Sequence, residues 1–189
     1  MNPAAGANLP RLNRREMRYL SPGELLAVGK AVPGKHRTLI LTLGIAGLRF
    51  GEAAALRRQD VDLLHRRLTV ERSVTEVDGS LVMGSPKSGR VRSVAIPERL
   101  IKELDNHLGT YVAPDLDALV FSSDLGAMLR VTNFSRRVFR PAVAATAIER
   151  PEELRLHDLR HTAAAAMIAV GGPRTRKKTT RALIHHGHL

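Results

Sequence analysis

The sequence predicts an α+β fold, mainly helical with a small three-stranded antiparallel sheet, and three observations carry that prediction. A capped helix start at Ser21-Pro22-Gly23-Glu24 opens the ordered part. A Thr-, Val- and Arg-rich stretch follows in the middle, punctuated by Asp78-Gly79 and Ser85-Pro86-Lys87-Ser88-Gly89. Helical segments then resume as far as about Val170. With 189 residues the chain suffices for one domain with a hydrophobic core.

Taken in order, residues 1–18 are rich in Pro, Ala, Asn and Arg and read as a basic linker or arm. Residues 19–189 form the domain. Ser21 supplies an N-cap oxygen, Pro22 tolerates the first helical position, and Glu24 can return a hydrogen bond to the cap. An apolar helix is expected over His36–Ile45 and a short one over Gly51–Leu56. Arg67–Val77 reads as a strand that turns at Asp78-Gly79. A further strand is expected around Val91, Val94 and Ile96. Helices are expected at Pro97–Leu108, Thr132–Ala147 and His157–Val170, the last ended by Gly171-Gly172-Pro173.

Composition narrows the function. Lys and Arg number 30 against 18 Asp and Glu, giving a formal charge of +12. Such an excess suits a polyanion, because neutralised phosphates release condensed counterions. A membrane surface is disfavoured, since no basic amphipathic helix with an aromatic face stands out. Four Phe, two Tyr and no Trp leave few rings for stacking unpaired bases, so duplex DNA is favoured over single strands. The absence of Cys excludes disulfides, thiolate zinc sites and a cysteine nucleophile. No signal peptide is evident, and the apolar run Leu39–Leu48 is too short to span a bilayer, which together predict a cytoplasmic protein.

Four features could carry chemistry. Ala46-Gly47-Leu48-Arg49-Phe50-Gly51-Glu52 sets an arginine between two glycines at a helix junction; its plain alternative is an Arg–Glu ion pair. Lys87 lies on a hairpin turn followed by Arg90 and Arg92. There it is either a solvated lysine or a proton donor and phosphate contact. His157-Asp158-Leu159-Arg160-His161 opens a helix, so that His157 and Arg160, three apart, share a face. A guanidinium offers paired donors to phosphate oxygens, and an imidazole moves a proton near neutral pH. Metal binding by His157, His161 and the downstream histidines is the second reading; the Glu that a zinc-protease helix needs is replaced by Asp158. Lastly, His185-His186-Gly187-His188 is either a presented imidazole or a tail.

In this order and spacing, these boxes resemble the tyrosine recombinase (phage integrase) family. The resemblance runs from about Arg18 to at least Val170. Ala46–Glu52 matches the family's first arginine box, Ser85–Gly89 with Arg92–Pro97 its lysine hairpin, and Leu156–Thr162 its HxxR box. It implies an integrase-type catalytic domain and DNA integration by phosphoryl transfer on duplex DNA, with no cofactor and no metal. Arg49, Lys87, His157, Arg160 and His188 would be the catalytic residues. Arg90, Arg92, Arg136, Arg137, Lys177 and Lys178 are expected to meet the DNA. The family works as a tetramer on DNA, which implies a weak homo-oligomer here.

Two departures matter. The family's nucleophilic tyrosine has no counterpart, because no tyrosine follows Tyr111, and an alternative alignment puts His186 in its place. The family's N-terminal clamp domain also has no counterpart beyond the basic arm. The expectation is therefore a truncated or degenerate catalytic domain with impaired cleavage, or else a non-catalytic DNA-binding remnant or regulator.

Overall fold

The computed structural model describes residues 18–86 and 89–169. At the start of the described residues, the Arg18 guanidinium donates to the carbonyls of Glu149 and Arg150. Helix α1 (Pro22–Ala31) starts as the sequence predicts. Ser21 Oγ accepts from the Glu24 N–H at 3.2 Å, and Glu24 accepts from the Ser21 N–H at 2.7 Å.

The centre of the domain is α2 (Gly34–Ile45), two residues longer at its start than expected. His36 and every residue from Thr38 to Ile45 are buried, because α1, α3 (Phe50–Ala54), α4 (Glu98–Tyr111) and α7 (Asp158–Ala169) all pack on it. A helix enclosed all round needs no polar stripe, which is why its apolar residues show little helical periodicity. Arg37 fastens it to α4 through Glu103, with Nη2 to Oε1 at 2.8 Å. Leu39, Ile40, Leu100, Leu104, Phe139 and Leu159 meet in one continuous core.

The helix expected over Thr132–Ala147 is interrupted rather than regular. It comprises α5 (Val131–Phe134), a π turn (Ser135–Phe139) and α6 (Arg140–Ala144). Pro141 explains the break in part, since it has no N–H for the helical ladder.

The strands depart from the expected arrangement. A three-stranded antiparallel sheet is present, in the order β1 (Val61–Asp62), β2 (Arg67–Val70), β5 (Arg92–Ala95). The hairpin β3 (Ser73–Val77) with β4 (Ser80–Gly84) forms a separate two-stranded ribbon. The Arg67–Val77 run is thus two strands. It breaks at Glu71-Arg72, where Arg72 turns inward to bind the buried Asp60 carboxylate at 2.7 and 2.8 Å. That ion pair outweighs continued strand pairing. In the β2–β5 register Leu68 faces Val94, which seats Leu68 and Val70 in the core. Among the described residues, no helix is long and apolar enough to cross a membrane.

Candidate active site

The site starts at the end of α2. Gly47 turns the chain with φ +69°, a conformation that side chains with a Cβ rarely adopt. A Cβ there would also lie 3.2 Å from the Cβ of Ala163 on α7. Leu48 then anchors in the core, and Arg49 becomes the N-cap of α3 in extended conformation. Gly51 permits α3 to abut the ribbon, since a Cβ would stand 2.2 Å from the Val74 carbonyl oxygen. Both glycines beside Arg49 are therefore required by close approach, and they fix where its guanidinium emerges.

Beneath Arg49 lies Glu52, whose side chain is wholly enclosed. Its carboxylate accepts from the Arg49 backbone N–H at 2.8 Å and from Arg49 Nη1 at 3.0 Å. Arg92, at the start of β5, grips it from the other side with both Nη atoms, at 2.9 and 2.6 Å. Burial alone would push the Glu52 carboxyl up. The hydrogen bonds from Arg92 and Arg49 overcome that and hold it at about 2.

Helix α7 brings the second arginine. Arg160 Nη1 donates to the Gly47 carbonyl, so α7 is tied to the turn that presents Arg49. Desolvation and then the positive charges of Arg49 and Arg92 push the Arg160 guanidinium below its ordinary value, while Glu52 opposes them. Arg49, Arg92 and Arg160 thus act on one another around a single carboxylate. The cluster keeps an uncompensated positive charge, the condition for holding an anion.

His157 sits immediately before α7, with its ring 4.8 Å from that of His161, edge to face. Partial burial, then His161, Arg160 and Arg49, push this imidazole below its usual value against the pull of Asp158. It is therefore neutral at pH 7 and able to accept a proton. Among the described residues no group of three His, Cys, Asp or Glu gathers as a metal site, so His157 and His161 stand as a pair.

The structure brings together Arg49, Arg160, His157 and Arg92. Lys87, His188, Lys177 and Lys178 lie outside the described residues. Arg90 is exposed in the β4–β5 connection, and Arg136 and Arg137 are exposed on the π turn. Arg92, expected as a DNA contact, has both Nη atoms bonded to Glu52. Sequence reasoning missed that partnership, because the two residues are 40 apart and no local pattern links them.

Tyr111 stands away from the cluster. Tyr111 ends α4 with its ring 5.4 Å from that of His107, and its hydroxyl lies beside Gly34 at the start of α2. Arg49 follows the other end of α2, so the two are separated by roughly a helix length of ~18 Å. Tyr19 precedes Leu20, whose N–H bonds Thr162 Oγ1 at 3.0 Å. Thr162 lies two residues past Arg160 and faces away from it on α7.

A paired-arginine anion site on a mainly helical α+β scaffold is the arrangement of a tyrosine recombinase catalytic domain. Residues 23–177 match the Phage integrase family, and the chain belongs to that family. It is 34% identical over 151 residues to the "Putative prophage phiRv2 integrase" of Mycobacterium tuberculosis, covering 78% of this chain and 39% of that protein. To the "Integrase" of Mycobacterium phage D29 it is 30% identical over 172 residues, covering 88% of this chain and 45% of the relative. The chain thus spans less than half the length of these two relatives. In fold it is similar to the Tn1549 transposon integrase solved with circular intermediate DNA, at TM-score 0.71 and 20% identity, covering 85% of this chain and 57% of that one. It is also similar to XerA recombinase, at TM-score 0.65 and 23% identity, covering 84% and 54%.

Proposed function

We propose that this chain carries the phosphate-clamping part of a DNA integrase that breaks and rejoins duplex DNA by phosphoryl transfer. The observation that supports this reading most is the tie between Arg160 and the Gly47 carbonyl, which sets both arginines at one place. Arg49 and Arg160 would donate to the two non-bridging oxygens of a scissile phosphodiester, where charge grows in the transition state. His157, neutral at pH 7, would take the proton of an attacking tyrosine hydroxyl. That hydroxyl would form a 3′-phosphotyrosyl bond and release a 5′ oxygen, which Lys87 would protonate. His188 would assist as a further hydrogen-bond donor. The phosphotyrosyl link keeps the energy of the broken diester, so rejoining needs no nucleotide cofactor.

Tyr111 stands away from the cluster and Tyr19 lies ahead of the first helix, so a polypeptide of these 189 residues is proposed to hold the phosphate without cutting it. Incubation with nicked suicide duplexes should give no covalent protein–DNA adduct on a denaturing gel. An adduct would overturn this part of the proposal and make Tyr19 or Tyr111 the first suspects. Duplex DNA is the proposed partner, bound in the cytoplasm by a chain that associates weakly with itself and assembles as a tetramer on its target.

A second reading, a non-catalytic DNA-binding regulator, is favoured by the exposed Arg136, Arg137 and Arg140 around the π turn. Under that reading Arg49→Ala leaves duplex binding intact, whereas loss of Arg136 and Arg137 weakens it and flattens its dependence on salt.

A further inference from the structure

We propose that Arg92 is a positioning residue, whose two-pronged grip on Glu52 leaves the Arg49 guanidinium available to a phosphate. This deepens the reading above and rests on it. Glu52 is enclosed, with no water-facing surface on its side chain. A carboxylate in that position must find its counter-charge within the protein, and leaving it underpartnered is strongly unfavourable. Arg92 meets most of the demand with both Nη atoms, at 2.9 and 2.6 Å. Arg49 contributes its backbone N–H and one side-chain nitrogen, Nη1. A guanidinium has five N–H donors, so most of those on Arg49 remain for another acceptor. Its side chain is 34% exposed, so they can be reached from solvent.

Two effects follow from removing Arg92. The cluster loses one positive charge, and the buried carboxylate draws Arg49 into the vacated two-pronged position. Both oppose a bound anion. The β2–β5 register places Arg92 opposite Val70, at the edge that meets Glu52.

The test titrates dimethyl phosphate, a diester monoanion, into the 189-residue chain at pH 7 and follows the arginine Nε–H signals by NMR. R92M should bind about tenfold more weakly, the order expected for one charge lost a few ångströms away. The double variant E52Q/R92M has the net charge of the unaltered cluster and no carboxylate to capture Arg49. It should return to within about twofold of the starting affinity. Recovery in the double variant is the readout that a direct phosphate contact by Arg92 would not give. Affinity as weak in E52Q/R92M as in R92M would overturn the proposal in favour of such a contact. Equal affinity of R92M and the unaltered chain would overturn it outright. Should R92M not fold, the double variant alone against the unaltered chain decides the matter. Failure of the underlying phosphate site is recognised separately, because Arg49→Ala would then leave the titration unchanged.

Discussion

Two buried carboxylates lie close together in the sequence and are held in the same local way, yet only one belongs to the proposed anion site. Glu52 and Asp60 each accept the backbone N–H of the arginine three residues earlier, at 2.8 Å in both cases. Each is then gripped by a second arginine arriving from the β region, Arg92 for Glu52 and Arg72 for Asp60. Around Asp60 the charges are matched. Arg57 turns away to the carbonyl and carboxylate of Asp117, and Arg72 also reaches Glu71. Around Glu52 they are not, because Arg49, Arg92 and Arg160 share the one carboxylate among the charges acting on Arg160. A matched pair fastens the β2–β3 turn to the domain. The unmatched cluster is the proposed phosphate site.

The largest expected effect tests what the two pairs share. Glu52→Ala and Asp60→Ala each remove an enclosed carboxylate that an arginine grips with two hydrogen bonds and should destabilise the fold by about 3–5 kcal/mol, measured by urea unfolding. Acid separates out the share of Glu52. Its folded value of about 2 lies below the ordinary 4.5, so its stabilisation is present above that ordinary value and is lost as pH falls toward the folded one. The loss amounts to about 3 kcal/mol. Glu52→Gln should remove most of this acid sensitivity.

The next effect separates the pairs. Arg49→Ala should weaken dimethyl phosphate binding by about 1.5–3 kcal/mol, the range for hydrogen bonds to charged groups. Arg72→Ala should destabilise the fold and leave the affinity of the folded fraction unchanged. Equal loss of phosphate affinity in both variants would erase the distinction between them.

A third prediction moves the site without altering any charge. Gly51→Ala sets a Cβ against the Val74 carbonyl and should cost about 1–3 kcal/mol while displacing α3 and its arginine. Gly109→Ala, with open space around it in α4, should instead stabilise by about 0.5–1 kcal/mol. Thermal unfolding of the two variants should shift in opposite directions, with phosphate affinity falling only in Gly51→Ala.

Much of this was legible in the sequence because it is written locally. The Ser21–Glu24 cap, the glycines around Arg49, and the His157–Arg160 spacing each lie within a few residues, and the structure places all of them as read. What escaped depends on distant partners. The break of the Arg67–Val77 run follows from Arg72 meeting Asp60, 12 residues back, and the inward turn of Arg92 follows from Glu52, 40 residues back. Pattern reading cannot see a buried carboxylate waiting for an arginine so far along the chain. The interrupted helix at Ser135–Phe139 was hidden for a related reason. Its residues keep a helical pattern, and only the hydrogen-bond ladder changes.

The smallest expected effect is a proton. His157 is held below its ordinary value partly by Arg160 and Arg49, the groups that a bound phosphate would neutralise. An anion in the cluster therefore raises the His157 value, and the complex takes up a proton that the free chain lacks. Duplex affinity at constant ionic strength should accordingly rise as pH falls from about 7 to about 5.5, by less than the tenfold per unit that one proton allows. His157→Gln should flatten that rise while leaving affinity at pH 7 nearly unchanged. The Asp60 pair has no such histidine among the charges described around it, so Asp60→Asn should leave the slope as it was. A slope that survives His157→Gln would mean that the proton is taken up elsewhere.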